Sequence, residues 1–334
     1  SFSDPDVRTF YRQRKVLVIG ADGFLGVNCI YTLQELGADV SLLTRRSSPR
    51  ANNFSGRIFH GDLRDQGLIR SAVENQSVVF DFAGVSGAVD SNEDPVRSLE
   101  GDCLSHLSLF QACATAKESP LVVFCSSRLV YGNPQYLPVD EAHPLLPRSM
   151  YAVHKITVEN YLKVFNHTHG LRFCILRLSN PYGPHQPWGA RSYGILNQFI
   201  HAALEGVPIK IYGDGHQQRD YIYVNDAITV FLLCVMHEKC RGQTFNLGGR
   251  HSISIRTAVE KITRLAGGTP VHFESWPKEY KVLETGDYRT DLRKIDSYLV
   301  LPPQTSFEEG VMQTLHYCRQ DRSPRPRGRC KMLF

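Results

Sequence analysis

Short apolar runs alternate with longer stretches of helical periodicity along the first half of the chain. The first pair is the run 15–19, KVLVI, and the apolar and small positions that recur at helical spacing from 24 to 36. Further strands are predicted at 39–44, 57–60, 77–82, 120–126 and 172–178, and helices at 66–75, 95–117 and 149–168. Strands separated by helices form parallel βαβ units, so the pattern predicts an α/β fold with a doubly wound parallel sheet.

The pattern changes after residue 180, where prolines and glycines crowd the loop at 181–189. Shorter elements follow this loop: a helix near 193–205, a strand at 208–212, and helices near 225–238, 253–266 and 306–319. We expect a smaller C-terminal α/β lobe over the carboxyl ends of the strands, where ligands bind in open α/β sheets. The expected parts are a loose leader at 1–14, a first domain at 15–180 to which 221–249 return, the lobe at 181–220 and 250–320, and a disordered basic tail at 321–334.

The composition is that of an ordinary globular protein, with 42% apolar and 21% charged residues in 334. The net charge of +5 is mild and comes in part from the basic tail, so we expect no nucleic-acid partner. No run reaches the length of a membrane-spanning helix, and the N-terminus has no signal-peptide core, so we expect no membrane association. The nine cysteines show neither paired nor metal-like spacing, which predicts reduced thiols, no metal site and a cytoplasmic location.

Three glycines, Gly20, Gly23 and Gly26, separate the first strand from the first helix. A turn of this kind lets backbone N–H groups approach a pyrophosphate at the positive end of the helix dipole, with Phe24 and Leu25 in the contacting segment. A tight βα turn alone would also explain the glycines. Because this turn opens the first βα unit of the chain, it favours a Rossmann-type dinucleotide-binding domain.

The end of the second strand is where an acidic residue would bind the adenosine ribose, but the chain has Arg45 and Arg46 there. Two guanidinium groups suit a 2′-phosphate, so NADP(H) is favoured and NAD(H) is possible. The same cofactor would contact the ends of the third and fourth strands, at Asp62, Leu63, Phe82, Ala83 and Gly84.

Tyr151 and Lys155 lie four residues apart at the start of a predicted helix and therefore share one face. A nearby ammonium lowers the pKa of a phenol, which makes tyrosine usable as a general acid or base. Ser127 ends the fifth strand, where a hydroxyl can donate to a reacting oxygen as that oxygen gains negative charge. The three residues and the glycine turn together indicate a hydride-transfer site.

At this point the chain resembles the extended short-chain dehydrogenase/reductase family, specifically its nucleotide-sugar epimerase/dehydratase branch, from about residue 15 to 320. The motifs that carry the resemblance are Gly20-x-x-Gly23-x-x-Gly26, Gly61-Asp62-Leu63, Phe82-Ala83-Gly84, Ser126-Ser127-x-x-Val130-Tyr131-Gly132, Tyr151-x-x-x-Lys155, Leu178-Ser179-Asn180-Pro181-Tyr182-Gly183-Pro184, Tyr212-Gly213-Asp214-Gly215 and Arg219-Asp220-Tyr221-Ile222. The resemblance implies a nicotinamide cofactor in the first domain and a nucleoside-diphosphate sugar in the lobe.

The resemblance also implies roles for individual residues. Ser127 would polarise the sugar oxygen, Tyr151 would be the acid/base, and Lys155 would lower the pKa of Tyr151 and hold the nicotinamide ribose. Asn180 and Arg219 match positions that grip the substrate diphosphate. The remaining implied contacts, to the base, the ribose and a phosphate, are Tyr212, Asp287 and Arg289. From its place on a lobe helix, we further expect Asn197 to offer the substrate an amide donor.

The chain departs from the family pattern at Arg128 and Leu129, where dehydratases have an acid pair that removes water from the sugar. Neither residue can act as that acid and base, which argues against 4,6-dehydration. The usual asparagine after the fourth strand is replaced near Asp102, and His154 is expected to be exposed and inert.

The leading hypothesis is a nucleotide-sugar 4-epimerase, in which C4 is transiently oxidised and the hydride returns to the other face. The second hypothesis is an NADPH-dependent reductase of a 4-keto sugar, which the arginine pair favours, and the third is a decarboxylase of a nucleotide-linked uronic acid. A non-catalytic dinucleotide sensor has no need of the tyrosine–lysine pair. Relatives pair through the helix that carries Tyr151, so a homodimer is expected, with Leu162, Val164 and Phe165 facing either the partner or the sheet.

Overall fold

The computed structural model describes residues 5–46, 50, 54–84, 87–188 and 194–321 of the chain. Its strands are β1 (Lys15–Ile19), β2 (Asp39–Thr44), β3 (Arg57–His60), β4 (Val78–Asp81), β5 (Leu121–Ser127), β6 (Phe173–Leu178), β7 (Asn180–Tyr182), β8 (Ile209–Tyr212), β9 (Gln218–Tyr223), β10 (Gln243–Leu247), β11 (Ser252–Ser254) and β12 (Val271–Glu274). Its helices are α1 (Pro5–Tyr11), α2 (Phe24–Glu35), α3 (Gln66–Val73), α4 (Ala88–Glu93), α5 (Pro95–Leu99), α6 (Ser105–Thr115), α7 (Met150–His169), α8 (Ile195–Leu204), α9 (Val224–Met236), α10 (Ile255–Ala266), α11 (Lys278–Lys281), α12 (Arg293–Tyr298) and α13 (Phe307–Gln320). The basic tail expected at 321–334 lies outside the described residues, apart from Asp321.

Seven parallel strands form the main sheet, in the order β10-β6-β5-β4-β1-β2-β3. One face of this sheet packs against α2 and α9, and the other against α3, α6 and α7, with apolar side chains filling both layers. The strand order reverses between β1 and β4, so the helices that follow these neighbours leave to opposite faces and open a crevice at the carboxyl ends. The expected doubly wound α/β fold is confirmed.

The segments after residue 180 build two small sheets, one with strand order β11-β9-β7 and one that pairs β12 with β8. Helices α8, α10 and α13 cover them and share a third apolar cluster. Because β7 begins directly after the carboxyl end of β6, this part of the chain lies over the edge where the crevice opens. Strand β10 lies at the edge of the main sheet, paired with β6. Within the described part of the chain, no helix is both long and apolar enough to cross a membrane.

The N-terminal segment departs from the expected loose leader, because residues 5–11 form helix α1. Val7 and Tyr11, four residues apart, are 3% and 0% exposed and face the main core. The Tyr11 hydroxyl donates a hydrogen bond to the backbone oxygen of Leu232 on α9 at 2.8 Å. The sequence prediction was wrong here because the two buried residues share one helix face, while the polar residues between them dominate the composition.

A buried ion pair joins the longest helix, α7, to the main sheet. Arg177 on β6 donates two hydrogen bonds to Glu159 on α7, from Nε at 2.9 Å and from Nη2 at 2.7 Å. Glu159 also accepts from Ser126 Oγ at 2.6 Å, and Arg177 donates to the phenol oxygen of Tyr131 at 2.9 Å. Multiple short hydrogen bonds offset the cost of removing both charges from water.

We predict that Glu159→Gln lowers the free energy of unfolding by about 3–5 kcal/mol, because Arg177 then stays buried without a counter-ion. Urea unfolding followed by circular dichroism measures the change. The matched control is Glu238→Gln, which removes the exposed partner of Arg241 and should change stability little. Equal effects of the two substitutions would contradict the structural role of the buried pair.

Candidate active site

A cavity of about 600 Å³ opens at the carboxyl ends of the central strands. It runs from the turn between β1 and α2, past the ends of β2, β3 and β4, to the end of β5 and the start of α7. Every cofactor-binding and catalytic residue predicted from the sequence lines it: Gly20, Gly23, Phe24, Leu25, Gly26, Arg45, Arg46, Asp62, Leu63, Phe82, Ala83, Gly84, Ser127, Tyr151 and Lys155. The fold thus brings residues from separate chain segments to one crevice.

The glycine turn has the shape that a pyrophosphate site needs. Gly20 has φ +73°, and a Cβ there would lie 2.6 Å from the backbone of Phe82. A Cβ on Gly26 would lie 2.2 Å from the backbone oxygen of Gly20. Gly23 caps α2 and has no side chain to accept from the first N–H groups of the helix. These groups therefore face the cavity as donors for an anion, and the turn fits a dinucleotide.

The other end of this part of the cavity is positively charged. Arg45 and Arg46 follow β2, and both side chains are exposed. The carboxylate of Asp22, which also lines the cavity, accepts hydrogen bonds from the hydroxyl of Thr44 and from the backbone N–H of Arg50. The end of β2 therefore places two exposed guanidinium groups and one carboxylate around this part of the cavity.

Asp62 and the residues that end β4 complete the cofactor side of the cavity. Arg64 hydrogen-bonds to Asp62 at 2.9 Å and holds the pKa of that carboxyl below its usual range. Gly84 has φ +145°, and a side chain there would lie 3.1 Å from Asp102 Oδ1 and 3.5 Å from Lys155 Nζ. A glycine at this point keeps the space between β4 and Lys155 open.

The structure separates the roles of the two serines at the end of β5. Ser126 points to α7, where its hydroxyl donates to Glu159. Side chains alternate along a strand, so Ser127 points to the opposite side, where it lines the cavity. Its hydroxyl also accepts from the N–H of Leu129 at 3.2 Å, which fixes its direction. Ser127 is therefore the serine available to a ligand.

Tyr151 and Lys155 are placed by the start of helix α7. The Ser149 hydroxyl caps this helix by accepting from Ala152 N at 3.3 Å, and the N–H of Tyr151 donates to Ser91 Oγ at 3.0 Å. Lys155 Nζ donates to the backbone oxygen of Cys125 at 2.8 Å and lies 5.7 Å from the ring centre of Tyr151. The predicted pair thus shares one face of the helix and faces the cavity.

The electrostatics of the pair are dominated by burial. Burial raises the pKa of Tyr151 above its ordinary value, while the Lys155 ammonium and the Ser127 hydroxyl act in the opposite direction. For Lys155, burial alone would lower the pKa, but Tyr151, Cys125 and two aspartates outweigh it and raise the pKa. Lys155 therefore keeps its charge at physiological pH, and that charge is the largest influence that favours the phenolate of Tyr151. The expected effect of lysine on tyrosine is present, and desolvation exceeds it because both groups lie in a closed crevice.

His154 is buried at 5% exposure, contrary to the expectation of an exposed side chain. Its Nδ1 lies 3.0 Å from Ser98 Oγ and 3.6 Å from Asp102 Oδ2. A π turn, Glu100–Leu104, interrupts the helix expected over 95–117 and carries Asp102 into this cluster. The sequence did not indicate burial, because packing of α7 against α5 decides it.

Asn180 and Arg219 lie on neighbouring strands of the lobe, β7 and β9. Asn180 Oδ1 accepts from Arg128 Nε at 3.3 Å. Arg219 donates to Glu284 Oε1 at 2.7 Å and to the backbone oxygen of Gly286 at 2.5 Å. The structure thus brings the two predicted diphosphate residues together, but much of the Arg219 guanidinium already binds protein acceptors.

Asp287 and Arg289 have exposed side chains, whereas Tyr288 between them is 1% exposed. Asp287 accepts from the backbone N–H of Gln218 at 2.8 Å. The ring centre of Tyr288 lies 4.9 Å from Cζ of Arg128. In this extended segment, Arg289 therefore lies on the opposite side from the Arg128 group, and the structure does not bring it to Asn180 and Arg219.

The side-chain amide of Asn197 is bound to the backbone of the protein and does not face the lobe surface. It is 1% exposed, its Nδ2 donates to the backbone oxygen of Gly183 at 2.7 Å, and its Oδ1 accepts from Gly183 N at 3.0 Å. The prediction that Asn197 binds substrate is therefore corrected. Its amide holds the loop that follows β7, a partner 14 residues away that local sequence patterns do not indicate.

Tyr212 ends β8 and is 8% exposed. Its ring centre lies 5.6 Å from that of Trp276 and 6.1 Å from that of Tyr280, which stacks on it. Gly213 follows with φ +72°, and a Cβ there would lie 2.6 Å from Trp276 Nε1. The predicted base-pocket residue thus belongs to an aromatic cluster, whose other members come from helix α11 and the loop before it.

Comparison with known proteins gives a consistent result. The model of the NAD dependent epimerase/dehydratase family matches residues 16–248. A putative UDP-glucose 4-epimerase of Methanocaldococcus jannaschii is 29% identical over 312 residues, covering 92% of this chain and 99% of that protein. The UDP-glucose 4-epimerase of Mycolicibacterium smegmatis is 30% identical over 316 residues, covering 91% of this chain and 98% of that protein. The chain belongs to the NAD-dependent epimerase/dehydratase family.

The UDP-glucose 4-epimerase of Thermus thermophilus, whose structure is a complex with NAD, superimposes on this family member with a TM-score of 0.82. The two are 27% identical, with 92% of this chain and 99% of that chain covered. The expected membership of the extended short-chain dehydrogenase/reductase family, in its nucleotide-sugar branch, is confirmed. The chain is a nucleotide-sugar-modifying enzyme of that class.

Several residues that lie beside Asn180 and Tyr212 in the folded chain were not singled out from the sequence. The main one is Arg128, which was treated from the sequence only as a position where dehydratases have an acid. Its place directly after Ser127 was a signal that could have been used. Thr285, Tyr288 and Trp276 carried no comparable signal, since only the folded loop brings them to the site.

Proposed function

We propose that the protein is a nucleotide-sugar 4-epimerase that works by transient oxidation at C4. The observation that carries this proposal is the convergence of Ser127, Tyr151 and Lys155 on the same cavity as the glycine turn. The UDP-glucose 4-epimerases among its relatives support the choice of reaction. A reductase of a 4-keto sugar would use the same three residues in one direction only, and the arginine pair after β2 favours it as the second candidate.

Each residue has a task that follows from its position. Ser127 donates a hydrogen bond to the C4 oxygen as it gains negative charge. Tyr151 accepts the C4 hydroxyl proton and later returns it, with the charged Lys155 stabilising its phenolate. The nicotinamide, when bound, supplies the hydride acceptor and donor. Since Lys155 is anchored to the Cys125 backbone oxygen at 2.8 Å, its charge stays in place through both half-reactions.

We infer that NADP(H) is the preferred cofactor. The glycine turn would hold the pyrophosphate, and Arg45 and Arg46 would bind the 2′-phosphate. Asp62 and Leu63 would contact the adenine, and the segment from Phe82 to Gly84 would pass beside the nicotinamide half. The Thermus thermophilus epimerase structure holds NAD, so the case for NADP(H) in this chain rests on the two exposed guanidinium groups.

We infer that the lobe of residues 181–220 and 250–320 binds a nucleoside-diphosphate sugar. Asn180 and Arg219 would face the diphosphate, and the aromatic cluster of Tyr212 would stack with the base. Asp287 is exposed at the lobe surface, which agrees with a ribose contact, and Arg289 would reach a phosphate only by turning away from the solvent-facing side of its strand.

We also propose a homodimer built on the helices next to the site. Large apolar side chains on α5, the π turn and α7 are exposed: Val96 65%, Leu99 44%, Leu104 48%, Val153 41% and Val164 58%. Leu162, by contrast, is 0% exposed and faces the sheet, and Phe165 packs on the same core. A second copy related by a twofold axis would bury this face against itself.

Tyr151→Phe should lower kcat by at least about 10²-fold, because the proton-transferring hydroxyl is lost, while cofactor affinity changes little. NMR of products from a panel of UDP-sugars measures turnover, and fluorescence titration measures cofactor binding. Tyr161→Phe, on the same helix, is the control. Turnover by the Tyr151→Phe variant at the wild-type rate would refute the mechanism. If the wild-type protein instead consumes NADPH when given a 4-keto sugar, it is the reductase.

Replacing both Arg45 and Arg46 with alanine should weaken NADP(H) binding by about 10–100-fold, because two charge-assisted contacts are lost. NAD(H) has no 2′-phosphate, so its affinity should change far less. Isothermal titration with each cofactor separates the two effects, and Arg70→Ala on the exposed side of α3 is the charge control. Equal losses for both cofactors would contradict the 2′-phosphate assignment.

Replacing both Leu104 and Val164 with aspartate should shift the protein to monomer, because the charges cannot be buried against a second copy. Light scattering coupled to size exclusion reports the mass, with 37.7 kDa expected for one chain. The control replaces Val300 and Met312, which are 98% and 51% exposed elsewhere, with aspartate. A monomeric wild type would rule out this interface.

A further inference from the structure

Arg128 lies between the end of β5 and the lobe. It directly follows Ser127 and begins the short turn Arg128–Tyr131. Its Nε donates to Asn180 Oδ1 at 3.3 Å, and its Nη1 donates to Thr285 Oγ1 at 3.2 Å. Its Cζ lies 4.9 Å from the ring centre of Tyr288. The guanidinium therefore spans from the end of β5 to the lobe.

Arg128 is partly buried, and no carboxylate of the described chain pairs with it as one does with the buried Arg177 and Arg219. Within the described residues, no carboxylate oxygen lies within 4.0 Å of its guanidinium nitrogens, whereas Arg177 and Arg219 each have a carboxylate at 2.7 Å. The two hydrogen bonds of Arg128 go to neutral acceptors, and both are long. Burial, and next the charge of Arg219, lower its pKa to about 10.

A partly buried cation beside a second arginine destabilises the free protein, and an anion placed between them removes that penalty. Arg219 already binds Glu284 and the Gly286 carbonyl, so its charge is largely neutralised within the protein. Arg128, by contrast, has no carboxylate in contact among the residues that the structure describes, and the charges of Asp220 and Glu284 act on it only through space. A planar guanidinium binds phosphate or carboxylate oxygens through two parallel hydrogen bonds.

We propose that Arg128 binds an anionic oxygen group of the nucleotide sugar, either its diphosphate or a carboxylate on the sugar. The proposal rests on the proposed function, since it needs a nucleotide sugar in the lobe. The contact with Asn180 places the guanidinium at the expected diphosphate site, and its neighbour Ser127 places it within reach of the sugar. On binding, Arg128 exchanges its long contacts to neutral acceptors for charge-assisted hydrogen bonds to the ligand.

The test measures the affinity of the full chain, saturated with NADP(H), for UDP, UDP-glucose and UDP-glucuronic acid by isothermal titration. Arg128→Gln removes the charge and keeps a polar side chain. Arg172→Gln is the matched control. It removes an exposed arginine that directly precedes β6, at the end of the strand far from Asn180. The proposal requires Arg128→Gln to weaken at least one ligand by about 10–100-fold while Arg172→Gln weakens none.

The ligand set identifies which anion is bound. Loss of affinity for all three ligands assigns Arg128 to the diphosphate. Loss confined to UDP-glucuronic acid assigns it to a sugar carboxylate. Arg128→Lys should retain part of the affinity in either case, because it keeps the charge without the fork. Wild-type affinity of the Gln variant for all three ligands would overturn the proposal.

Two further measurements keep the result unambiguous. Urea unfolding of each variant shows whether the fold is intact, and the Lys variant provides a second test if the Gln variant unfolds. If wild type binds none of the three ligands, the proposed function fails. If wild type binds them and the Arg128 variants bind equally well, only the role of Arg128 fails.

Discussion

The buried pair of Arg177 and Glu159 fixes where helix α7 lies against the sheet. Glu159 sits one turn along α7 from Lys155 and two turns from Tyr151, and its carboxylate also holds Ser126. That contact turns the Ser126 hydroxyl toward α7, and the side chain of the next residue, Ser127, therefore lies on the opposite side of the strand. Two charges removed from water are tolerable only with complete pairing, so this network admits one register of α7 against β5 and β6. The geometry of the reacting groups depends on that register.

The parts of the site that could be predicted from the sequence are those with local causes. A strand, three glycines and a helix within 22 residues define the pyrophosphate turn, and four-residue spacing alone places Tyr151 and Lys155 on one face. All the residues predicted to bind the cofactor or to be catalytic line one cavity. Helix α1 was not predicted, because its burial depends on α9, more than 200 residues away, which supplies the acceptor at Leu232.

The lobe was harder to predict because its contacts are long-range. Asn197 belongs to a helix start, as expected, yet the Gly183 backbone takes both ends of its amide. Arg289 and Tyr288 are adjacent in sequence, and only the extended backbone decides that the tyrosine faces the site and the arginine faces solvent. Arg219 was predicted as a phosphate ligand from its motif, whereas its salt bridge to Glu284 depends on a loop 65 residues further on.

Arg128 bears on two questions at once: whether the site can catalyse dehydration, and which ligands it can bind. Dehydration requires one group that protonates a leaving hydroxyl and another that removes a proton from carbon. A guanidinium with a pKa of about 10 stays protonated at neutral pH, so it cannot act as the base and is a weak acid. The same charge favours an anionic ligand beside Ser127. An arginine at this position therefore agrees with the proposed oxidation and reduction at one carbon, and its charge agrees with the proposed binding of an anionic group of the substrate.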